Sequence, residues 1–252
     1  MMIDPGRYQM FYDAVRPALG SVPLQRLPPG TIVVRSVAAS YKGVAATRDS
    51  ARTIFGGSKA DFRWSGARPL ARAGRGALYV SRHLDAVANE VFHYASHDPS
   101  LPVNPAVGRV LAQDALAATR SFRFKTNTGV VVVDLSSASS EGTAFLRQLD
   151  LNRGVKSALA AARHLSVLSA CNAPNDYSFS RALSHALTDE LPLVEGLKVV
   201  TARDEWAKIG ETGENLALFG VDGVPLPSLV PLTETIYGVD AAGRLTQTVN
   251  HF

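Results

Sequence analysis

The chain has 252 residues, of which 46% are hydrophobic and 19% are charged. This length and composition predict a soluble globular protein with a sizeable core, and they exclude a chain that is disordered throughout. Lys and Arg total 26 against 22 Asp and Glu, and the two signs are interspersed. The small net charge of +4 therefore does not indicate a nucleic-acid-binding face.

Several kinds of site are excluded by what the sequence lacks. Cys171 is the one cysteine, so neither an intramolecular disulfide nor a cysteine metal cluster can form. His93 and His97 have helical spacing, but the Glu of an HExxH zinc motif is missing between them, and we expect no metal. The motifs of Rossmann domains, P-loop NTPases and nucleophile-elbow hydrolases are also missing. Because neither a signal peptide nor an apolar run of ~20 residues is found, we expect a cytoplasmic protein.

The first part of the chain predicts a helix, two strands and a second helix. Residues 6–20 have a helical apolar pattern and precede a proline-rich linker. Residues 31–37 are β-branched and predict a strand, in which Arg35 must face solvent or meet an anion or carboxylate, because burial of a lone charge is too costly. Residues 77–81 predict the second strand, and the helix after it places Glu90 at the edge of an apolar face.

The remainder of the chain mixes strands and helices without regular alternation. Residues 129–135 form a continuous apolar run that is typical of a central strand covered on both faces. Helices are also predicted at 142–149, 154–168 and 175–189, and strands at 121–125, 193–201, 215–220, 230–237 and 245–249. This order predicts an α+β fold in a single domain, with a mixed sheet flanked by helices.

Seven short segments resemble, in the same order, those of the RES-domain family, which is named for an Arg, a Glu and a Ser. The segments are VVRSV with Arg35, FRWSG with Arg63, ALYVS with Tyr79, AVANE with Glu90, VVVVDL, GLKVVTAR and NLALF. Their order and spacing carry the resemblance. It implies an N-terminal helix and linker at 1–30, an NAD-binding catalytic domain at 31–220, and a C-terminal strand extension at 221–252, packed on the same domain.

The chain departs from the family pattern at three places. The resemblance predicts the family Ser at the position of Thr201. The threonine keeps the hydroxyl group and adds a methyl group. The usual Gly-Arg-Trp-Asn is Phe62-Arg63-Trp64-Ser65 in this chain. The connection between Trp64 and Tyr79 is longer than usual in the family, as is the region 93–128.

The resemblance implies a fold like that of ADP-ribosyltransferase toxins, acting on NAD as substrate. Family members degrade NAD by hydrolysis or phosphorolysis, or transfer ADP-ribose to a protein, and many are bacterial toxins neutralised by a bound antitoxin or immunity protein. We therefore expect NAD and such a neutralising protein as partners, and no nucleic acid, membrane or metal. The protein could act in its own cytoplasm or be delivered into that of another cell. Two alternatives stay open, a mono-ADP-ribosyltransferase that modifies a protein and a non-catalytic binding protein on the same fold.

The chemistry of the charged residues agrees with this expectation. Cleavage of the nicotinamide–ribose bond develops positive charge on the ribose, and a carboxylate at Glu90 would stabilise that charge and orient or deprotonate the acceptor. The forked guanidinium groups of Arg35 and Arg63 suit the pyrophosphate of NAD. The ordinary structural explanation is that Arg35 and Glu90 form a partly buried ion pair.

The uncharged candidates complete the predicted site. Tyr79 would present its ring to the nicotinamide and its hydroxyl to the ribose, and Tyr41 is a second candidate for stacking. Thr201 would make one hydrogen bond to the amide or a phosphate, and Asn215 begins a strand beside the site. Tyr79 could instead be an ordinary strand aromatic, and Thr201 a helix cap.

Overall fold

The computed structural model describes residues 3–38, 64, 76–82, 119–136, 139–173, 176–200, 214–220 and 229–252. Within these ranges the chain forms one mixed sheet of nine strands together with five α-helices. The α+β class expected from the sequence is confirmed. Among the described residues, no helix combines the length and the apolarity that a membrane crossing requires.

Four of the five described α-helices begin after a residue whose side chain caps them. The five are α1 (Pro5–Val15), α2 (Ser140–Leu151), α3 (Arg153–Ala161), α4 (Val167–Cys171) and α5 (Ser178–Glu190), and a 3-10 turn, Arg16–Ala18, follows α1. The side chains of Asp4, Ser139 and Asn152 accept hydrogen bonds from the first N–H groups of α1, α2 and α3. Such caps satisfy donors that have no partner inside the helix.

The single helix predicted at 154–168 is wrong, because two helices occupy this region. Arg163 has a φ of 62°, a left-handed conformation that a right-handed helix cannot continue through. The side chain of Ser166 then accepts a hydrogen bond from the N–H of Ser169 and starts α4. Apolar residues keep helical spacing across the break, so periodicity alone could not locate it.

Nine strands make up the sheet. They are β1 (Leu24–Leu27), β2 (Ile32–Ala38), β3 (Gly76–Ser81), β4 (Thr119–Thr126), β5 (Val130–Asp134), β6 (Gly196–Val200), β7 (Glu214–Gly220), β8 (Leu229–Val239) and β9 (Leu245–His251). Their order is β1-β5-β6-β7-β3-β2-β4-β8-β9, in which β5 and β6 are parallel and the other neighbours antiparallel.

Strand β1 lies where the sequence predicted only an irregular linker. Its four residues are flanked by Pro23 and Pro28, which read locally as loop signals. The strand forms because β5 offers it a partner, with Leu24 opposite Val133 and Leu27 opposite Val130. The linker prediction is therefore wrong for these residues, and the reason is a pairing that is remote in sequence.

Alternate side chains of the sheet enter two separate cores. The first core cluster lies between the five helices and one face, which we call the helix face, and its strand residues come from β3, β5, β6 and β7. They are Ala77, Val133, Leu197, Val199, Ala217 and Phe219. The second core cluster lies on the other face, which we call the far face. Its members include Val33, Leu78, Val80, Phe122, Phe124, Leu216 and Leu218.

The sheet has two parts that meet at a short joint between β2 and β3. All residues of these two strands are described, and they are in register at one position, Val34 opposite Ser81. By contrast, β2 pairs with β4 and β3 pairs with β7 along their whole lengths. The joint therefore separates a five-stranded part, β1-β5-β6-β7-β3, from a four-stranded part, β2-β4-β8-β9.

Candidate functional site

Arg35 lies on the far face of the sheet, close to the joint. It follows Val34 in β2 and is directly opposite Phe122 of β4. Opposed residues of an antiparallel pair project to the same side, and alternate residues of one strand share a face. Arg35 therefore projects to the same side as Val33 and Phe122 of the second core cluster. It is partly buried there.

The buried carboxylate of Glu234 lies in the same row of opposed residues as Arg35. Phe122 is opposite Glu234 of β8, and Glu234 is opposite Asn250 of β9. The Glu234 side chain is 1% exposed, and its two oxygens accept hydrogen bonds from Arg120 Nη1 at 3.3 Å and from Asn250 Nδ2 at 3.1 Å. A carboxylate can be buried in this way when charged and polar donors satisfy both oxygens.

Arg120 and Arg35 are therefore on one face of neighbouring strands. Arg120 precedes Phe122 by two residues in β4, so the two residues have the same orientation. Arg35 and Arg120 each have a further interaction partner. Arg120 and Glu234 were not found by sequence reasoning. They are 114 residues apart, and only the pairing of β4 with β8 brings them together.

Tyr79 projects to the helix face, opposite to the side on which Arg35 lies. It packs against the first core cluster, and its Oη accepts a 2.7 Å hydrogen bond from the backbone N–H of Trp64. Trp64 is buried, and its carbonyl oxygen accepts a 2.9 Å bond from Ser184 Oγ on α5. The structure therefore does not bring Tyr79 to the face of Arg35. Its hydroxyl instead accepts the backbone N–H of Trp64, the residue after Arg63.

Asn215 also projects to the helix face, at the edge where three strands end or begin. It is buried and stands opposite both Ser81 of β3 and Val199 of β6. Val34 is in turn opposite Ser81. A row of opposed residues, Val34, Ser81, Asn215 and Val199, therefore crosses the neighbouring strands β2, β3, β7 and β6. Strand β6 ends at Val200, immediately before Thr201 in the sequence. Tyr41, Arg63, Glu90 and Thr201 lie outside the residues that the structure describes.

Comparison of the chain with protein-family models, curated proteins and solved structures found no match. A functional assignment therefore depends on the chain's own motifs and geometry. In the described ranges, no group of three or more His, Cys, Asp and Glu side chains could hold a metal ion.

A buried ion pair joins the last residue of β5 to the middle of the parallel strand β6. Asp134 of β5 is opposite Lys198 of β6, and its Oδ2 is 3.2 Å from Lys198 Nζ. Asp134 Oδ1 accepts hydrogen bonds from the N–H of Ser136 at 2.9 Å and from its Oγ at 2.5 Å. Sequence reasoning did not find this pair, although a lysine inside the apolar strand GLKVV was a signal that could have indicated it. The pair stabilises the turn between β5 and α2.

A polar cluster joins the first and last helices. The Tyr8 hydroxyl is hydrogen-bonded to His185 Nδ1, and the Tyr12 hydroxyl donates to Asp189. His185 Nε2 lies 3.4 Å from Asp189 Oδ2. Burial, followed by the hydrogen bond to the Asp189 carboxylate, raises the pKa of Tyr12 to about 12. These contacts link α1 to α5. Helix α5 also carries Ser184, whose side chain is hydrogen-bonded to Trp64.

Proposed function

We propose that this chain is a RES-type toxin that binds NAD and cleaves its nicotinamide–ribose bond, degrading NAD by hydrolysis or phosphorolysis. The observation that carries the proposal is the order of the strands. Five of the segments that resemble the family lie in β5, β6, β7, β3 and β2, which are consecutive neighbours in the sheet. Segments that are scattered along the sequence thus share one region, as residues of a common site must.

We also propose that the sheet has the fold of the ADP-ribosyltransferase toxins. This assignment is supported by the contiguity of those five strands and by the joint beside Arg35. The row through Val34, Ser81 and Asn215 ends at Val199, two residues before Thr201. Residues from both parts of the sheet would therefore meet the substrate at the joint.

Each predicted residue has a definite chemical task in this proposal. The bond between ribose C1′ and the nicotinamide nitrogen breaks with its electron pair going to nitrogen, which neutralises the pyridinium ring. Glu90 stabilises the cationic ribose, and a water or phosphate oxygen then bonds to C1′. When water attacks, Glu90 takes its proton. Arg35 and Arg63 bind the pyrophosphate through two-pronged contacts.

The role of Tyr79 in the proposal follows from its hydrogen bond. Because its hydroxyl accepts the N–H of Trp64 and its ring packs among apolar residues, we assign it to positioning the segment that contains Arg63. Thr201 keeps the task of hydrogen bonding to the substrate, and Tyr41 keeps that of stacking. Asn215, which is buried on the helix face like Tyr79, would hold the end of β6 that precedes Thr201. A neutralising antitoxin or immunity protein is the partner that this function requires in the producing cell.

The test is to incubate the purified protein with NAD and to measure free nicotinamide, with and without inorganic phosphate. We expect release by the wild type and a loss of about 100-fold or more in Glu90→Gln, the size of an acid–base contribution. Glu141→Gln, which alters an exposed carboxylate at the start of α2, should release nicotinamide at the wild-type rate. Expression in a bacterial cytoplasm should arrest growth, and Glu90→Gln should relieve the arrest.

Other outcomes separate the alternatives. Nicotinamide release that requires cell lysate and labels a protein with ADP-ribose would identify a mono-ADP-ribosyltransferase. NAD binding without release under any of these conditions would identify a non-catalytic binding protein. The absence of both NAD binding and nicotinamide release would overturn the proposal.

A further inference from the structure

Strand β9 forms one edge of the nine-stranded sheet, and among the described strands it pairs with β8 alone. Its sequence, LTQTVNH, contains no Pro, Lys, Arg, Asp or Glu. The side chains of residues 246–249 and 251 are exposed, with Val249 at 43%. Natural sheet edges are usually kept from pairing with another chain by prolines, charges, bulges or a covering segment. Within the described ranges, β9 has none of these protections.

The other edge of the sheet, β1, is protected. It is four residues long and contains Arg26, and Pro23 precedes it while Pro28 follows it. Short length, flanking prolines and a charge each limit the pairing that an edge can accept. The two edges therefore differ in their capacity to take up another strand, and β9 is the edge that can.

The backbone hydrogen bonds of β9 alternate between β8 and the open edge. In an antiparallel pair, opposed residues are alternately bonded to each other and not bonded. At one end of β9 the N–H of Phe252 donates to the carbonyl oxygen of Leu232 at 3.0 Å. At the other end the N–H of Asp240 donates to the carbonyl oxygen of Arg244 at 2.9 Å. The register between these bonds is unbroken, so the even-numbered residues of β9 bond to β8. The backbone N–H and C=O groups that point to the open edge are those of residues 245, 247, 249 and 251.

A second copy of β9 fits this edge about a twofold axis at Thr248. In that arrangement Leu245 is opposite His251 of the second copy, and Gln247 is opposite Val249. Every outward-pointing N–H and C=O group then has a partner. Like charges do not meet, because β9 contains no Lys, Arg, Asp or Glu, and Thr248 meets its own copy, which is a favourable pair on antiparallel strands. The edge is therefore complementary to itself, as the interface of a twofold dimer must be.

We infer that β9 pairs antiparallel with β9 of a second copy of this chain, so that one sheet continues through both copies of a homodimer. The inference is independent of the proposed function, because it involves none of the residues assigned to NAD. One pair of seven-residue strands is a small interface, below the ~1,200 Å² of stable complexes. The dimer should therefore be reversible, and its population should rise with protein concentration.

Cross-linking tests the register. Thr248 and its copy would form a non-hydrogen-bonded pair with Cα atoms about 4.5 Å apart, a separation that a disulfide can bridge. Thr248→Cys should therefore give a disulfide-linked dimer under mild oxidation. Thr246→Cys is the matched control, because it is exposed on the same side of β9 and its copy would lie roughly 13 Å further along the strand. The native Cys171 is buried.

Sedimentation equilibrium tests the association itself. The wild type should approach twice the mass of one chain as its concentration rises. Thr248→Lys should weaken dimerisation by ~10-fold or more, because it places two like charges against each other at the axis. A tagged copy of Thr248→Lys should capture untagged Thr248→Glu and should not capture untagged Thr248→Lys. Leu165→Lys adds the same charge at a 99% exposed residue before α4 and should dimerise like the wild type.

A second variant guards against misfolding. Val249→Pro removes an N–H that points to the open edge and no bond to β8, so it should fold and remain monomeric. Thermal unfolding of each variant checks the fold, and Val249→Pro decides the question if Thr248→Lys unfolds.

Several outcomes would overturn the inference. One is a wild type that sediments as a monomer up to roughly 1 mM, the weak end of specific association. Another is a dimer that Thr248→Lys and Val249→Pro leave intact, or one that only Leu165→Lys disrupts, because the interface would then lie elsewhere. Equal cross-linking of Thr248→Cys and Thr246→Cys would contradict the register. A monomeric wild type that binds a synthetic LTQTVNH peptide would overturn the dimer and assign the edge to an extended segment of another protein.

Discussion

Ser184 Oγ on α5 donates a 2.9 Å hydrogen bond to the carbonyl oxygen of Trp64, 120 residues earlier in the chain. The N–H of the same tryptophan donates to Tyr79 Oη at 2.7 Å. Both polar backbone groups of a buried residue are thus satisfied by side chains, one from a helix and one from a strand. Trp64 is the residue after Arg63, to which we assign phosphate binding in the proposed function.

Ser184→Ala should destabilise the protein by about 1–3 kcal/mol, because it leaves the buried Trp64 carbonyl without its donor. Urea unfolding measures the free energy of unfolding, and tryptophan fluorescence in a Trp206→Phe background reports on the surroundings of Trp64. Ser180→Ala is the matched control, because Ser180 Oγ bonds only to the carbonyl of Tyr177 one turn earlier among the contacts described. Equal unfolding midpoints for the two variants would show that the Trp64 contact contributes nothing to stability.

Tyr12 should make the stability of the protein sensitive to alkaline pH. Its pKa is raised from 10.0 to about 12 by burial and by the Asp189 carboxylate, so the folded protein binds the phenolic proton more tightly than the unfolded chain. This contribution is complete below pH 10 and is lost as pH rises toward about 12. Tyr12→Phe should flatten the fall in unfolding free energy over that window, and Asp189→Asn should lower the pKa. A phenolate titration of the wild type that Tyr12→Phe does not alter would contradict this.

Asp176 should have the opposite effect, in acid. Burial acts to raise its pKa, but hydrogen bonds from Ser178 and from the Arg7 guanidinium outweigh burial, and the pKa is lowered from 3.8. The folded state therefore favours the carboxylate, and this stabilisation is present above pH 3.8 and is lost as pH falls through the lower folded value. Asp176→Asn should unfold more readily at neutral pH and should show a shallower acid transition. Asp13→Asn, on the exposed side of α1, should retain the wild-type acid transition.

The buried Asp134–Lys198 pair should respond differently to single and double substitution. Lys198→Met leaves the Asp134 carboxylate without its counter-charge and should cost about 3–5 kcal/mol. The double variant Lys198→Met/Asp134→Asn should recover part of this loss, because a neutral amide needs no cation and can still accept from Ser136. Urea unfolding of the two single variants and the double variant gives the coupling. Strict additivity would mean that the two side chains do not interact.

Local pattern was enough to find most of the elements. The apolar run at 129–135 predicted β5, and helical spacing predicted α2 and α5, because these elements bury residues at a period that the sequence records directly. The same logic missed β1, whose four residues form a strand only because β5 accepts them as a partner. It also missed the end of α3, where Arg163 adopts a left-handed conformation within an apolar pattern that continues.

The sequence by itself determined the α+β class, most of the described strands and helices, and the residue types available for the proposed NAD chemistry. Only the tertiary structure decided which of them share a face. Arg35 and Tyr79 occupy adjacent strands, and the register of Val34 with Ser81 sends them to opposite sides of the sheet. A shift of one residue would reverse such an orientation, and register depends on partners far away in sequence. For the same reason the bond of Arg120 to Glu234 beside Arg35 could be recognised only after the strands were paired.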